Sequence, residues 1–458
     1  MWEEGETVEL ADSAVKKALS AGATEAEAYV QRINNVSVTF QDKIENIRTV
    51  ESTGIGLSVA VGKKTAVYST SILDEKEIDE AAKKAVKIAK VASEDSRWKH
   101  FNKQFGKTSV EGCYDKKLEN PDYKEITETL ISAVSCMKAF DKRVRPTRSF
   151  LFTALENVSV GNSYRESIER KATEVAVYLT TKVEEAGMNS TGAEHQQART
   201  WKEIKFDDLA TKAAEKAVKY LKAKVIPSTK MPVIIRNQIF ANLLGIFLSG
   251  PINADWVQKG RSPMTGKLGK QVASQNVELI DDGTMPGGFS TRPFDDEGHP
   301  TQRTPIIEKG VLKNYLYDTY TALQDNVEST GNATKSIGYW TRPQPTPSNL
   351  VLKPEKTSLE EIVQQTEKGL YVEQTIGEWL SNPVSGNLNA TVTHGFLIEN
   401  GRETQPVNGV IIAANFHELL MSGIQMIGND PRSSMGLGAG ATVYSPTIKL
   451  AELTIAGK

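Results

Sequence analysis

Between Gly54 and Ala92 the apolar residues change period, and that change restricts the chain to folds that lay helices on a sheet. In GIGLSVAVG, Ile55, Leu57, Val59 and Val61 recur at every second position, which lines one face of a strand. Ile78, Ala81, Ala82, Ala85, Ile88, Ala89 and Ala92 then follow the three-and-four spacing of a helix with one apolar stripe. Such a helix buries its stripe on the sheet that precedes it. A first helix is expected around Asp12 to Ala21, and Ala26 to Thr70 reads as a run of short strands.

The same order returns further along. Ser93 to Pro121 is polar and without period, and reads as a long connection. DYKEITETLISAVSCMKAF reads as a helix, and Arg148 to Val160 and Ala172 to Val183 as strands rich in β-branched residues. A helix follows from about Phe206, with Asp207 and Asp208 in its first turn and Lys216, Lys219 and Lys222 toward its end, an arrangement that suits the helix dipole. Two prolines in KVIPSTKMP mark a boundary. The chain is therefore expected to be α+β, with an N-terminal sheet-and-helix domain over 1–225 and a β-rich C-terminal domain over 226–458. The second half opens with a strand, VIIR, and a brief apolar helix, NQIFANLLGIFLSG. Hairpins are predicted in PIIEKGVLKNYLYD, turning at Lys309-Gly310, and in HGFLIENGRETQPV, turning at Asn400-Gly401.

Composition narrows the classes of function. Lysine and arginine number 55 against 57 acids, so no whole-molecule field draws in nucleic acid or an anionic membrane. No apolar run approaches the roughly 20 residues of a membrane helix, and the acidic N-terminus lacks the features of a signal peptide. The 2 cysteines, Cys113 and Cys136, cannot staple a secreted scaffold. A cytoplasmic protein is expected.

Candidate chemistry concentrates in PFDDEGHPTQRT. In an extended chain Asp295, Glu297 and His299 would share a face and could offer metal ligands or acid/base groups. Gly298 and Pro300 interrupt that run, and a solvated turn leading into the hairpin is the expected form. NFHELLMSG, an apparent helix, carries His417-Glu418 but has Met421 where the H-E-x-x-H zinc motif needs its second histidine. Asn415 reads as its helix cap. The glycine-rich MGLGAGATVY lacks the lysine and following helix of a phosphate loop.

In order and spacing, GGFSTRPFDDEGHPTQRTPIIEKGVLKNYLYDTYTA, STGNA, NPVSGNLNATVTHGFLIENG, PVNGVIIAANFHELL and the terminal TIAGK resemble the TldD/TldE (PmbA) family, known as metallopeptidases and as modulators of DNA gyrase. TGIGLSVAVG and DEKEIDEAAKKAVKIAK extend the resemblance into the first half. TldD-type chains carry H-E-x-x-x-H on the helix opening the C-terminal domain, and a cysteine near the C-terminus completes their zinc site. Matched here, that helix reads ANLLGI over 241–246: Ala241 and Ile246 stand in the histidine positions and Asn242 in that of the glutamate. Met435 to Gly440, where the cysteine would fall, contains none.

The resemblance thus implies the TldE branch, which has no metal site of its own. It implies zinc in a TldD-type partner, a shared cavity that admits extended peptides, and Asp295, Glu297 and His299 as candidate cavity or peptide contacts. No catalytic or metal residue is expected in this chain. The alternatives are a self-sufficient homodimeric peptidase using His299, His394 or His417, and a non-enzymatic protein-binding regulator.

Overall fold

A computed structural model describes residues 5–434 and 441–458. The first half contains α1 (Glu6–Ser20), β1 (Glu25–Phe40), β2 (Ile44–Val61), β3 (Lys64–Thr70), α2 (Glu75–Val91), α3 (Tyr123–Phe140), β4 (Val144–Pro146), β5 (Ser149–Asn162), β6 (Arg165–Glu185), β7 (Met188–Ala198) and α4 (Phe206–Lys219). Its strands form one antiparallel sheet in the order β3-β2-β1-β5-β6-β4, with β7 also on β6. The first helix starts at Glu6, earlier than its apolar residues predict. The run of short strands is instead three strands, two of them 16 and 18 residues long. They outrun the core because the β1–β2 ladder continues past it: Asn46 to Thr49 are exposed yet remain paired.

Register divides the sheet's residues between two faces. Ala28 and Val30 of β1 and Leu57 and Val59 of β2 pack under α1 and α2, while Val36 and Val38 pack under α3 and α4. The alternate positions carry a different set: Glu27 lies opposite Ser58, Tyr29 opposite Gly56, and Gln31 opposite Gly54. That second face meets the C-terminal half. A Cβ on Gly56 would lie 1.8 Å from the Tyr339 carbonyl oxygen, and one on Gly54 would lie 2.0 Å from the Tyr339 ring. The two glycines are what lets the 336–340 loop lie on the sheet.

The second half is β-rich as expected. Strand β8 (Thr229–Ile235) runs into α5 (Asn237–Leu248), an almost wholly buried helix. A seven-stranded sheet that includes β8 and the last strand, Ile448–Ala456, and a six-stranded sheet that includes Arg303–Glu308 enclose α5 in one large core. Both hairpins form at the predicted turns, with Lys309, Gly310, Asn400 and Gly401 at positive φ. Two short helices, α6 (Ala254–Gln258) and α7 (Thr319–Asp325), cover one side.

A buried ion network ties the halves together. Glu194 of β7 accepts from Lys216 of α4 at 2.6 Å and from Arg236, which precedes α5, at 3.0 Å. Glu373 accepts from Tyr220 at 2.7 Å and lies 3.6 Å from Lys216.

Candidate functional site

The segment 293–301 forms a closed turn, with Gly298 at φ 77 and Asp295 N–H donating to His299 O at 2.8 Å. It is not solvated. Asp295, Asp296, Glu297 and His299 are 0%, 3%, 7% and 8% exposed. The cover comes from the long connection of the first half, which lies across the turn as a strap. Asn102 Nδ2 donates to Glu297 O at 2.8 Å, Gly106 N to Gly298 O at 3.1 Å and Thr108 N to Pro293 O at 2.8 Å. Polar residues of the connection thus satisfy a turn that local sequence would leave to water.

The three candidate contact residues point into this structure. Asp295 accepts backbone N–H groups of Glu297 at 2.9 Å, His299 at 3.0 Å and Ala333 at 3.0 Å, and burial pushes its carboxyl up. Glu297 accepts from Thr319 N at 2.9 Å; burial, then the nearby Asp318, Asp295 and Glu27, push it well above the usual range. His299 Nδ1 donates to Pro300 O at 2.9 Å, and Nε2 pairs with the Gln104 amide at 2.8 Å.

Asp296, which sequence reasoning passed over, is the member of the turn that reaches a groove. Burial alone would raise its carboxyl, but Arg292 and Arg170 hold it below the usual range. Arg170 Nη2 donates to it at 2.7 Å, Arg292 Nη1 at 3.1 Å and Lys335 N at 2.7 Å. The available signal was a charged residue, Arg170, in a long β-branched strand.

The groove runs between the sheet's second face and the C-terminal half. One part, of about 520 Å³, is lined by Tyr29, Gln31, Glu156, Arg170, Arg292 and Asp296. The next part, of about 490 Å³, is lined by Gly245, Ile246 and Ser249 of α5 and by Trp256 and Trp379. Ser336 and Pro347 line both parts, so the two are continuous. Ile337, Trp340 and Trp379 stand 72%, 50% and 52% exposed at the rim.

Helix α5 shows what the groove can hold. Ala241 is fully buried, Asn242 and Ile246 are partly exposed, and Ile246 lines the groove. Zinc needs imidazole, carboxylate or thiolate donors. None of these three side chains supplies one, and an amide is no general base at neutral pH. Among the described residues, no group of three or more His, Cys, Asp or Glu is arranged to hold a metal. The described residues therefore do not fit a metal centre; Met435 to Gly440 lie outside them.

The other two candidate histidines, His394 and His417, each have a backbone partner. His394 Nε2 donates to Thr191 O at 2.6 Å and His417 Nε2 to Pro383 O at 2.9 Å. NFHELLMSG is a single α turn, Phe416–Glu418, running into a π turn rather than a full helix, and Asn415 caps it by accepting from His417 N and Glu418 N. No helix among the described residues is long and apolar enough to cross a membrane.

Comparison with known proteins agrees with this architecture. The chain is 29% identical over 422 residues to a metalloprotease of Methanocaldococcus jannaschii, covering 87% of this chain and 88% of that protein. It is 24% identical over 432 residues to the metalloprotease PmbA of Escherichia coli O157:H7, covering 93% and 92%. Among solved structures, TldE of Thermococcus kodakarensis superposes with a TM-score of 0.90 at 22% identity, covering 98% of this chain and 100% of that one, a likeness of fold. Family models match in three blocks: PmbA/TldA metallopeptidase domain 1 over residues 26–89, the central domain over 116–221 and the C-terminal domain over 228–457. The last block spans half of the sequence, and the chain belongs to the PmbA/TldD metallopeptidase family.

Proposed function

We propose that this chain is a non-catalytic, TldE-type subunit of a cytoplasmic peptidase assembly, forming walls of a peptide-handling cavity around a zinc site carried by a TldD-type partner. The observation that carries the reading is α5: where a zinc-bearing relative would need donors, this helix carries Ala241, Asn242 and Ile246, the last of which lines the groove. The rim supports a partner closing over it, since Ile337, Trp340 and Trp379 expose apolar surface next to the opening. Backbone amides and the mixed charges of Arg170, Arg292 and Glu156 suit an extended peptide better than a nucleic acid. Self-association remains the competing arrangement for the same surface.

Purified protein is expected to hold no stoichiometric zinc and to leave unfolded peptides intact. Mixed with a TldD-type chain it should form a hetero-oligomer and support chelator-sensitive cleavage. Chelator-sensitive hydrolysis by this chain alone would refute the reading.

A further inference from the structure

A second cavity, of about 260 Å³, lies beyond the groove and shares Gln344 and Pro345 with it. It sits where the second face of β1 and β2, the strap and the N-terminal end of α7 converge. Its size falls just under the range of drug-sized pockets, so its occupant is small.

Its chemistry is lopsided. The lining acids are Glu27, Asp95, Asp255, Glu297 and Asp318, against the bases Arg97, Lys259 and Arg342. Each base already has a partner: Lys259 pairs with Asp255 at 2.7 Å, Arg97 donates to Gln324 at 3.2 Å, and Arg342 donates to Thr65 Oγ1 at 2.9 Å. Most of the acids are also satisfied. Asp95 accepts from Tyr320 at 2.7 Å, Glu297 from Thr319 N at 2.9 Å and Asp318 from Thr321 N at 2.8 Å.

Glu27 is the exception: the buried Lys335 acts on it across space but forms no ion pair with it. It is 2% exposed, and its Oε2 is buried with no hydrogen-bond partner. Two other buried polar atoms without a partner, Trp98 Nε1 and Thr319 Oγ1, belong to residues lining the same cavity. An unpaired buried carboxylate is costly, and so is an unpaired indole N–H. One ligand carrying both a cationic donor and an acceptor oxygen would satisfy them together.

We infer that this cavity binds an α-ammonium group with its adjacent carbonyl, the chemistry shared by a peptide's amino-terminal residue and a free amino-acid amide. Glu27 is the counter-ion of the ammonium, and Trp98 Nε1 donates to the carbonyl oxygen. Only the peptide source rests on the function proposed above, because a cavity at the end of the groove would hold the first residue of a chain lying along it.

The test is isothermal titration calorimetry on the full chain without a partner, at pH 7, using alaninamide, trialanine amide and propionamide. The two amines should bind saturably at one site. Propionamide should bind at least about tenfold more weakly, the loss expected for one charge-assisted hydrogen bond. Glu27→Gln should weaken alaninamide by a similar factor without lowering Tm, which shows that the variant folds. Trp98→Phe should weaken it by about fivefold, as for a neutral hydrogen bond. Tighter binding of trialanine amide supports a peptide amino terminus; equal binding supports a single-residue amide. Equal affinity for propionamide, unchanged affinity in Glu27→Gln, or no saturable heat from either amine would overturn the assignment. Binding is read without cleavage, so its failure leaves partner complementation standing, and failed complementation leaves the binding result standing.

Discussion

Asp296→Asn should loosen the joint between the two halves at neutral pH. The side chain is 3% exposed and answers two guanidinium groups and one backbone N–H. Removing one partner of a buried ion pair costs about 3–5 kcal/mol, because the other charge is left uncompensated. Here the loss belongs near the lower end. Arg170 keeps the Phe294 carbonyl at 3.0 Å, and Arg292 keeps Ala333 O at 2.9 Å and Thr334 Oγ1 at 2.7 Å. Taking about 3 kcal/mol, and an unfolding entropy of about 2.1 cal/mol/K per residue, Tm should fall by about 3 °C if the whole chain unfolds as one unit and about 6 °C if the C-terminal half does so alone. Differential scanning calorimetry at pH 7 reads this directly. The acid limb provides a second readout: a carboxyl held below its usual range stabilises the fold above that range, and the contribution disappears as pH falls through the folded value. The wild-type advantage over Asp296→Asn should therefore vanish in strong acid. A Tm within about 1 °C of wild type at pH 7, well inside the predicted shift, would show that the two arginines do not depend on this carboxylate.

Glu194→Ala should cost about 3 kcal/mol, the lower end for a broken buried pair, since Lys216 and Arg236 would be left with Glu373 alone, at 3.6 Å and 4.0 Å; calorimetry should show the halves unfolding more independently. Burial would raise the Glu194 carboxyl, yet Arg236 and Lys216 hold it at about 2, so this contribution is full above 4.5 and is lost progressively as pH falls through about 2. Glu27 and Asp281 behave in the opposite sense: burial pushes each to about 7. Acids raised in the fold contribute most below the unfolded value and lose that contribution as pH rises through the folded one. Lys335 opposes the rise at Glu27, while Asp295 and Asp296 add to it. Tm should consequently fall between pH 5 and pH 8, and Glu27→Gln should flatten part of that slope in a thermal-shift series.

Much of the fold was legible in the sequence because local chemistry specified it. Lys309-Gly310 and Asn400-Gly401 fixed two hairpins through backbone angles that other residues avoid. The stripe from Ile78 to Ala89 placed a helix on the sheet. Strand lengths were less legible, since the β1–β2 ladder extends by backbone pairing after side-chain burial has ended. The site was only partly readable. ANLLGI displays the lack of donors residue by residue, but PFDDEGHPTQRT looks solvent-facing unless its distant cover is known. Asn102 and Glu297 meet across 195 positions, and nothing in either segment announces the other. Glu27 carried no signal: in EAEAYV the glutamates alternate with alanines, as solvent-facing residues of a half-covered strand do, and only the distant C-terminal half buries that face.

The strap has a consequence for biogenesis. Its residues leave the ribosome about 195 positions before the turn they cover, which at ordinary elongation rates means a wait of roughly 10 to 40 seconds. An apolar strand held waiting that long would invite aggregation in the nascent chain. A polar segment such as KHFNKQFGKT, with three lysines in ten residues, can idle in water and then exchange those hydrogen bonds for the turn's when it arrives.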